Sequence, residues 1–97
     1  MNPNPDEVVY FDIRKVSSGT SNRYWNIIRV RDICTSELYD ISLDFRDKYS
    51  KNIYDFMIPG FSSTPGDYPY LFITKSGKKP KKLEIKKYKE KYIEYFI

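Results

Sequence analysis

The chain has no histidine, no alanine and no glutamine among its 97 residues, and a single cysteine, Cys34. Without histidine there is no imidazole base and no imidazole metal ligand. One cysteine allows neither an internal disulfide nor a thiolate metal cluster. A lone cysteine near a strand end reads as a small packing residue, since no histidine is available to activate it as a nucleophile. The lack of alanine removes the strongest helix former, while the many Ile, Val, Tyr and Phe residues favour strands. No apolar run approaches the roughly 20 residues that span a bilayer. The first residues, MNPNPDEVVYF, are acidic and proline-rich, unlike a secretory leader, so an intracellular, cytoplasmic location is expected. No cofactor is expected.

What the chain does have is a one-sided charge distribution. Residues 75–97 hold nine lysines against three glutamates, whereas residues 1–74 hold ten acids against eight bases. A near-neutral body with a cationic C-terminal part points to a polyanionic partner, of which nucleic acid is the commonest.

At this length a single domain is expected, with residues 1–7 as an extended or disordered lead-in and residues 8–97 as the folded unit. Residues 8–16 alternate, with Val9, Phe11 and Ile13 on one face and Val8, Tyr10, Asp12, Arg14 and Val16 on the other. SSGTSN at 17–22 has turn chemistry. A strand over 23–33 and another over 38–45 complete a three-stranded meander. A first hairpin centred between Gly19 and Thr20 sets Val9 opposite Val30 and Phe11 opposite Ile28. A second, centred between Thr35 and Ser36, sets Val30 opposite Ile41, Ile28 opposite Leu43 and Arg31 opposite Asp40. Both turns give one shared apolar face, and a one-residue slip would destroy it.

Between Asp44 and Met57 the period lengthens. Phe45, Tyr49, Ile53 and Phe56 or Met57 share one side of a helix that Asp44 would cap and Pro59-Gly60 would end. A loop over 61–69 follows. Residues 70–75 form a strand with Leu71 and Ile73 inward, KSGKKP turns the chain, and residues 82–87 are its partner strand with Leu83 and Ile85 inward. Tyr88, Tyr92, Tyr95 and Phe96 fit a short closing helix, or the strand continues through them. The fold class is therefore β-rich α+β. Three strands, a helix and two strands resemble, in architecture alone, the five-stranded OB-fold barrel, which often binds oligonucleotides.

Two surfaces suggest binding. The lysine-rich hairpin offers Lys78, Lys79, Lys81, Lys82, Lys86, Lys87 and Lys89 to phosphates, with Tyr88 beside them. Such a cluster gives salt-sensitive, sequence-independent affinity. The outward face of the meander offers Tyr10, Arg14, Trp25, Arg29 and Arg31, where rings would stack bases and guanidiniums would follow the backbone. Cross-strand Arg–aromatic pairs also stabilise ordinary solvent-facing sheets. The reading is a small non-enzymatic nucleic-acid-binding protein, single strands favoured.

Three other functions fit parts of the chain. Exposed aromatics and arginines would suit a small interaction module or inhibitor docking on an acidic surface of a larger enzyme, a role that a phage or viral origin would fit. Asp67 followed by Glu84-x-Lys86 on paired strands resembles the metal-dependent PD-(D/E)xK nuclease pattern, with Gly66 interrupting its Pro-Asp pair. Tyr92, Ile93, Tyr95, Phe96 and Ile97 beside lysines would suit a membrane-interface helix, although the same rings can close the core.

Overall fold

The computed structural model describes residues 6–22, 25–44, 56–60 and 69–96, with the backbone alone for 18–22, 25–26 and 44. Its strands are β1 (Val8–Asp12), β2 (Ser17–Asn22), β3 (Trp25–Arg31), β4 (Leu38–Asp44), β5 (Ile58–Pro59) and β6 (Tyr70–Thr74). One α-helix, α1 (Lys82–Lys91), and two 3₁₀ turns, Ile13–Lys15 and Ile93–Tyr95, complete the described elements. The strands form two antiparallel sheets, ordered β1-β6-β5 and β2-β3-β4. This is a β-rich α+β fold. The described strands form no closed barrel.

The pairing of β1 departs from the expected meander. It runs beside β6, with Val9 opposite Ile73 and Phe11 opposite Leu71, rather than beside β3. The reason lies in its sequence. VVYF is apolar on both faces, and a strand of that kind needs cover on both sides. An outer meander strand would leave Val8 and Tyr10 in water. In the observed place all five residues of β1 are buried. Tyr10, expected on an outward face, is 1% exposed.

SSGTSN is correspondingly a strand and not a turn. It pairs with β3 from Ser17 opposite Arg29 to Asn22 opposite Trp25, with a register shift between Ser18 and Thr20. That irregularity brackets Gly19, as expected of a glycine inside a strand.

The β3–β4 hairpin is present, displaced by two residues from the expected register. Ile28 lies opposite Ile41, Val30 opposite Tyr39 and Arg29 opposite Asp40. A shift of two preserves the faces, so the apolar set survives although each pair changes. The turn chemistry sets the displacement. The Asp32 carboxylate accepts from the backbone N–H of Cys34 at 2.8 Å and of Thr35 at 2.9 Å. Ser36, at φ 63°, takes the left-handed position. The Asp32 N–H then donates to Glu37 O at 2.9 Å, closing the loop over six residues.

Two cores result. Val9, Phe11, Ile28, Val30, Ile41, Leu43, Met57, Leu71 and Ile73 fill the space between the sheets. Val8, Tyr10, Phe72 and Tyr88, joined by Ile33, Ile85, Tyr92 and Phe96, fill the space between the β1–β6 sheet and α1. Burying one such aliphatic or aromatic side chain is worth about 1.5–3 kcal/mol, so α1 is held by its rings and not by its intrinsic helix preference.

The expected strand over 82–87 is α1 instead. Ile85, Tyr88 and Tyr92 lie at i, i+3 and i+7 and share the inner face. Leu83, expected inward, is 57% exposed. The helix expected over 44–57 and the loop over 61–69 fall largely outside the described residues, although Met57 is in the core. Of the lead-in, Asp6 and Glu7 are described, and Glu7 is tied down. Its backbone oxygen accepts from Lys75 N–H and its carboxylate from Lys75 Nζ, both at 2.9 Å. No described helix is long and apolar enough to cross a membrane.

Candidate nucleic-acid interface

The lysine-rich segment leaves β6 through a clamped turn. Thr74, almost fully buried, donates from Oγ1 to Lys78 O and accepts from Lys78 N–H, each at 2.9 Å. Gly77 sits at φ 82°, where a Cβ would run into the Ser42 carbonyl. Pro80 is buried. Lys78, Lys79, Lys81 and Lys82 are exposed around this fixed backbone, followed by Lys86 and Lys87 on the open side of α1. Among the described residues, none of these six forms an ion pair. Lys89 differs. It is half-buried, with Nζ 5.8 Å from the Phe72 ring centre and 5.6 Å from that of Phe96, and serves packing. Lys91 leans over Tyr92 at 5.5 Å.

The start of α1 opposes ordinary helix design. Its N-cap is Lys81, which makes no side-chain cap bond, and Glu84 is the one acid of the first turn. The N-terminal end of a helix is already positive, so lysines there cost stability and raise the local potential. Departures of this kind from local rules tend to mark functional surfaces.

The second expected surface does not exist as one face. Tyr10 is in the core, with its ring 4.5 Å from that of Phe72. Tyr88 is 9% exposed, so its ring is not open to a base. Both leave the set of stacking candidates, because α1 covers the outer side of β1 that was expected to meet solvent. The backbone of Trp25 lies opposite Asp44 in the β3–β4 pair. Arg29 forms a two-point ion pair with Asp40, at 2.8 and 3.2 Å, which holds the Asp40 carboxyl below the usual carboxylate range. Arg14 is on the 3₁₀ turn after β1. It grips Asp12 through Nε at 3.0 Å and Nη2 at 2.7 Å, and these hydrogen bonds hold the Asp12 carboxyl low. Arg31, expected opposite Asp40, instead donates from Nη1 to Ser36 O at 2.6 Å.

The structure also gives weight to a residue that sequence reasoning passed over. Asp32 is 2% exposed. Besides Cys34 and Thr35, it accepts from Tyr10 N–H at 3.0 Å, and the Tyr88 hydroxyl lies 2.7 and 2.8 Å from its two oxygens. One carboxylate thus joins β1, the β3–β4 turn and α1. Burial pushes the Tyr88 hydroxyl pKa far up, and burial likewise raises that of the Cys34 thiol. The available signal was Asp followed three and four residues on by Thr and Ser, an Asx-turn sequence at a hairpin. Nothing in the sequence shows that Tyr88 would reach it. The cleft beside this clasp, about 170 Å³, mixes Glu7, Asp32 and Glu84 with Lys87 and Lys91 and so favours neither sign of charge.

The nuclease-like pattern loses its geometry. Glu84 and Lys86 are on a helix, two residues apart and hence on different sides, and Asp67 lies outside the described residues. Among the described residues no group of acids, cysteines or histidines is gathered as a metal would need.

No protein-family model, curated protein or solved structure matches the chain.

Proposed function

We propose that this protein binds nucleic acid without catalysis, gripping phosphates with Lys78, Lys79, Lys81, Lys82, Lys86 and Lys87. The observation that carries the reading is an array of six exposed lysines, free of ion pairs among the described residues, on a clamped turn and the helix it leads into. Cations left without carboxylate partners gain most from releasing the counterions of a polyanion. With Tyr10 and Tyr88 in the core, the reading keeps phosphate contact and drops stacking on those two rings. Binding then follows charge density rather than base identity. Closure into an OB-like barrel is not required.

Fluorescence anisotropy of labelled single-stranded DNA, duplex DNA and RNA across a salt series tests this. If about five phosphates are neutralised, log K against log salt falls with a slope near −4.5 on duplex. The Lys78/Lys79/Lys81/Lys82→Ala variant should lose most of the affinity and flatten the slope. Failure of all three nucleic acids to bind at low salt refutes the proposal.

Leu83, exposed among these lysines, favours a second reading. A protein partner with an acidic rim and an apolar hollow would use it, whereas a phosphate backbone would not. Leu83→Ser separates the two, since it should leave nucleic-acid affinity unchanged.

A further inference from the structure

The register shift of the β3–β4 hairpin has placed Arg31 on the rim of a cleft shared with Arg14. The cleft measures about 330 Å³ and is lined by Arg14, Lys15, Arg31, Ile33, Ser36 and Tyr70, with Asp12 and Asp32 in its walls. The Arg14 guanidinium is held along one edge and that of Arg31 at one nitrogen. Arg14 spends Nε and Nη2 on Asp12. Arg31 spends Nη1 on Ser36 O. A planar guanidinium so held keeps its other N–H groups for a further partner. The acids of the cleft are engaged: Asp12 by Arg14, and Asp32 by three backbone N–H groups and Tyr88. Arg31 and Lys15 form no ion pair among the described residues.

We infer that this cleft is a phosphomonoester site. Two forks and an ammonium suit a dianion with three terminal oxygens, whereas a carboxylate, with one charge and two oxygens, is satisfied by a single fork. Ile33 and Tyr70 give the rest of the ligand an apolar wall. The phosphate is that of a free mononucleotide or of a nucleic-acid strand end. The site lies apart from the lysine array and does not rest on the reading of that array.

Two-dimensional ¹H–¹⁵N NMR of the full chain, titrated with inorganic phosphate and then with adenosine monophosphate, tests the inference. Amides of Arg14, Lys15, Ile33 and Ser36 should shift. Arg31→Gln should weaken binding roughly tenfold or more, the size expected for losing a charged hydrogen bond. Arg31→Lys, which keeps the charge without the fork, should fall between. Lys78/Lys79/Lys81/Lys82→Ala should bind phosphate as the wild type does. Shifts confined to α1 and its approach, or unchanged affinity in Arg31→Gln, overturn the proposal. Arg31→Lys equal to wild type overturns the fork geometry. A 5′-phosphorylated oligonucleotide that binds better than its 5′-hydroxyl twin assigns the site to strand ends, and equal binding assigns it to mononucleotides. Loss of salt-dependent nucleic-acid binding with these shifts intact would refute only the lysine reading.

Discussion

Asp32 shows how one side chain can hold three elements. Its carboxylate takes hydrogen bonds from the backbone of β1 and of the β3–β4 turn, and from the Tyr88 hydroxyl on α1. Removing it strands several buried donors at once, each costing about 1–3 kcal/mol if left unpaired. Asp32→Ala should therefore lower stability by about 4 kcal/mol or more, the low end of the sum over four donors. Tyr88→Phe removes one charge-assisted bond and should cost about 2 kcal/mol. Because the two residues touch, the double variant should lose less than the sum of the singles. Urea unfolding of the four proteins measures this, and simple additivity would show that the bond contributes nothing of its own. The turn was legible in sequence at Thr35 and Ser36, with Asp32 read as part of the strand before it. Its consequence for register was not, because a side chain that caps two amides fixes the loop length in a way that composition cannot express.

Helix α1 was half-legible. Leu83 and Ile85 alternate as in a strand, while Ile85, Tyr88, Tyr92 and Phe96 repeat as on a helix, and both patterns fit six residues equally well. The decision fell to the surface available. The outer side of β1 and β6 presents Tyr10 and Phe72, and a helix covers two strands where one added strand would cover neither. The lysines at its start are the element's weakness and, on the proposed function, its purpose. Lys81→Asp should supply the missing N-cap and complement the helix dipole, raising stability by about 1 kcal/mol. The same change should weaken nucleic-acid binding, since it removes one cation and adds an anion within the array. Thermal unfolding and anisotropy on one sample compare the two effects. A variant that gains stability and keeps full affinity would exclude this end of α1 from the interface.

At the scale of the whole molecule, periodicity revealed faces and left partners open. Val9, Phe11, Ile28, Val30, Ile41, Leu43, Leu71 and Ile73 were readable as inward positions, and all meet in one core. That β1 belongs with β6, some 60 residues away, depends on α1 covering its other side, and no local pattern encodes that. The resulting stack, sheet on sheet on helix, carries Tyr10, Tyr39 and Tyr88 in or beside its seams. Burial raises the hydroxyl pKa of Tyr10 and Tyr88 in the helix-side core and of Tyr39 beside the sheet-side core. The consequence has a definite sign. An unfolded tyrosine ionises near pH 10, whereas these hold their protons to higher pH when folded. Above about pH 10 the unfolded chain therefore binds fewer protons than the native one, and stability falls as pH rises. Cys34, raised by burial, adds to the same trend from the ordinary thiol range upward. Alkaline titration should thus show tyrosinate absorbance and loss of secondary structure arriving together, in one cooperative step, for the buried rings. Tyr88→Phe should move that step to higher pH relative to its own neutral stability, because one of the groups driving it is gone. Gradual, independent ionisation of all ten tyrosines with the fold intact would show that these rings do not sit in the seams of the stack.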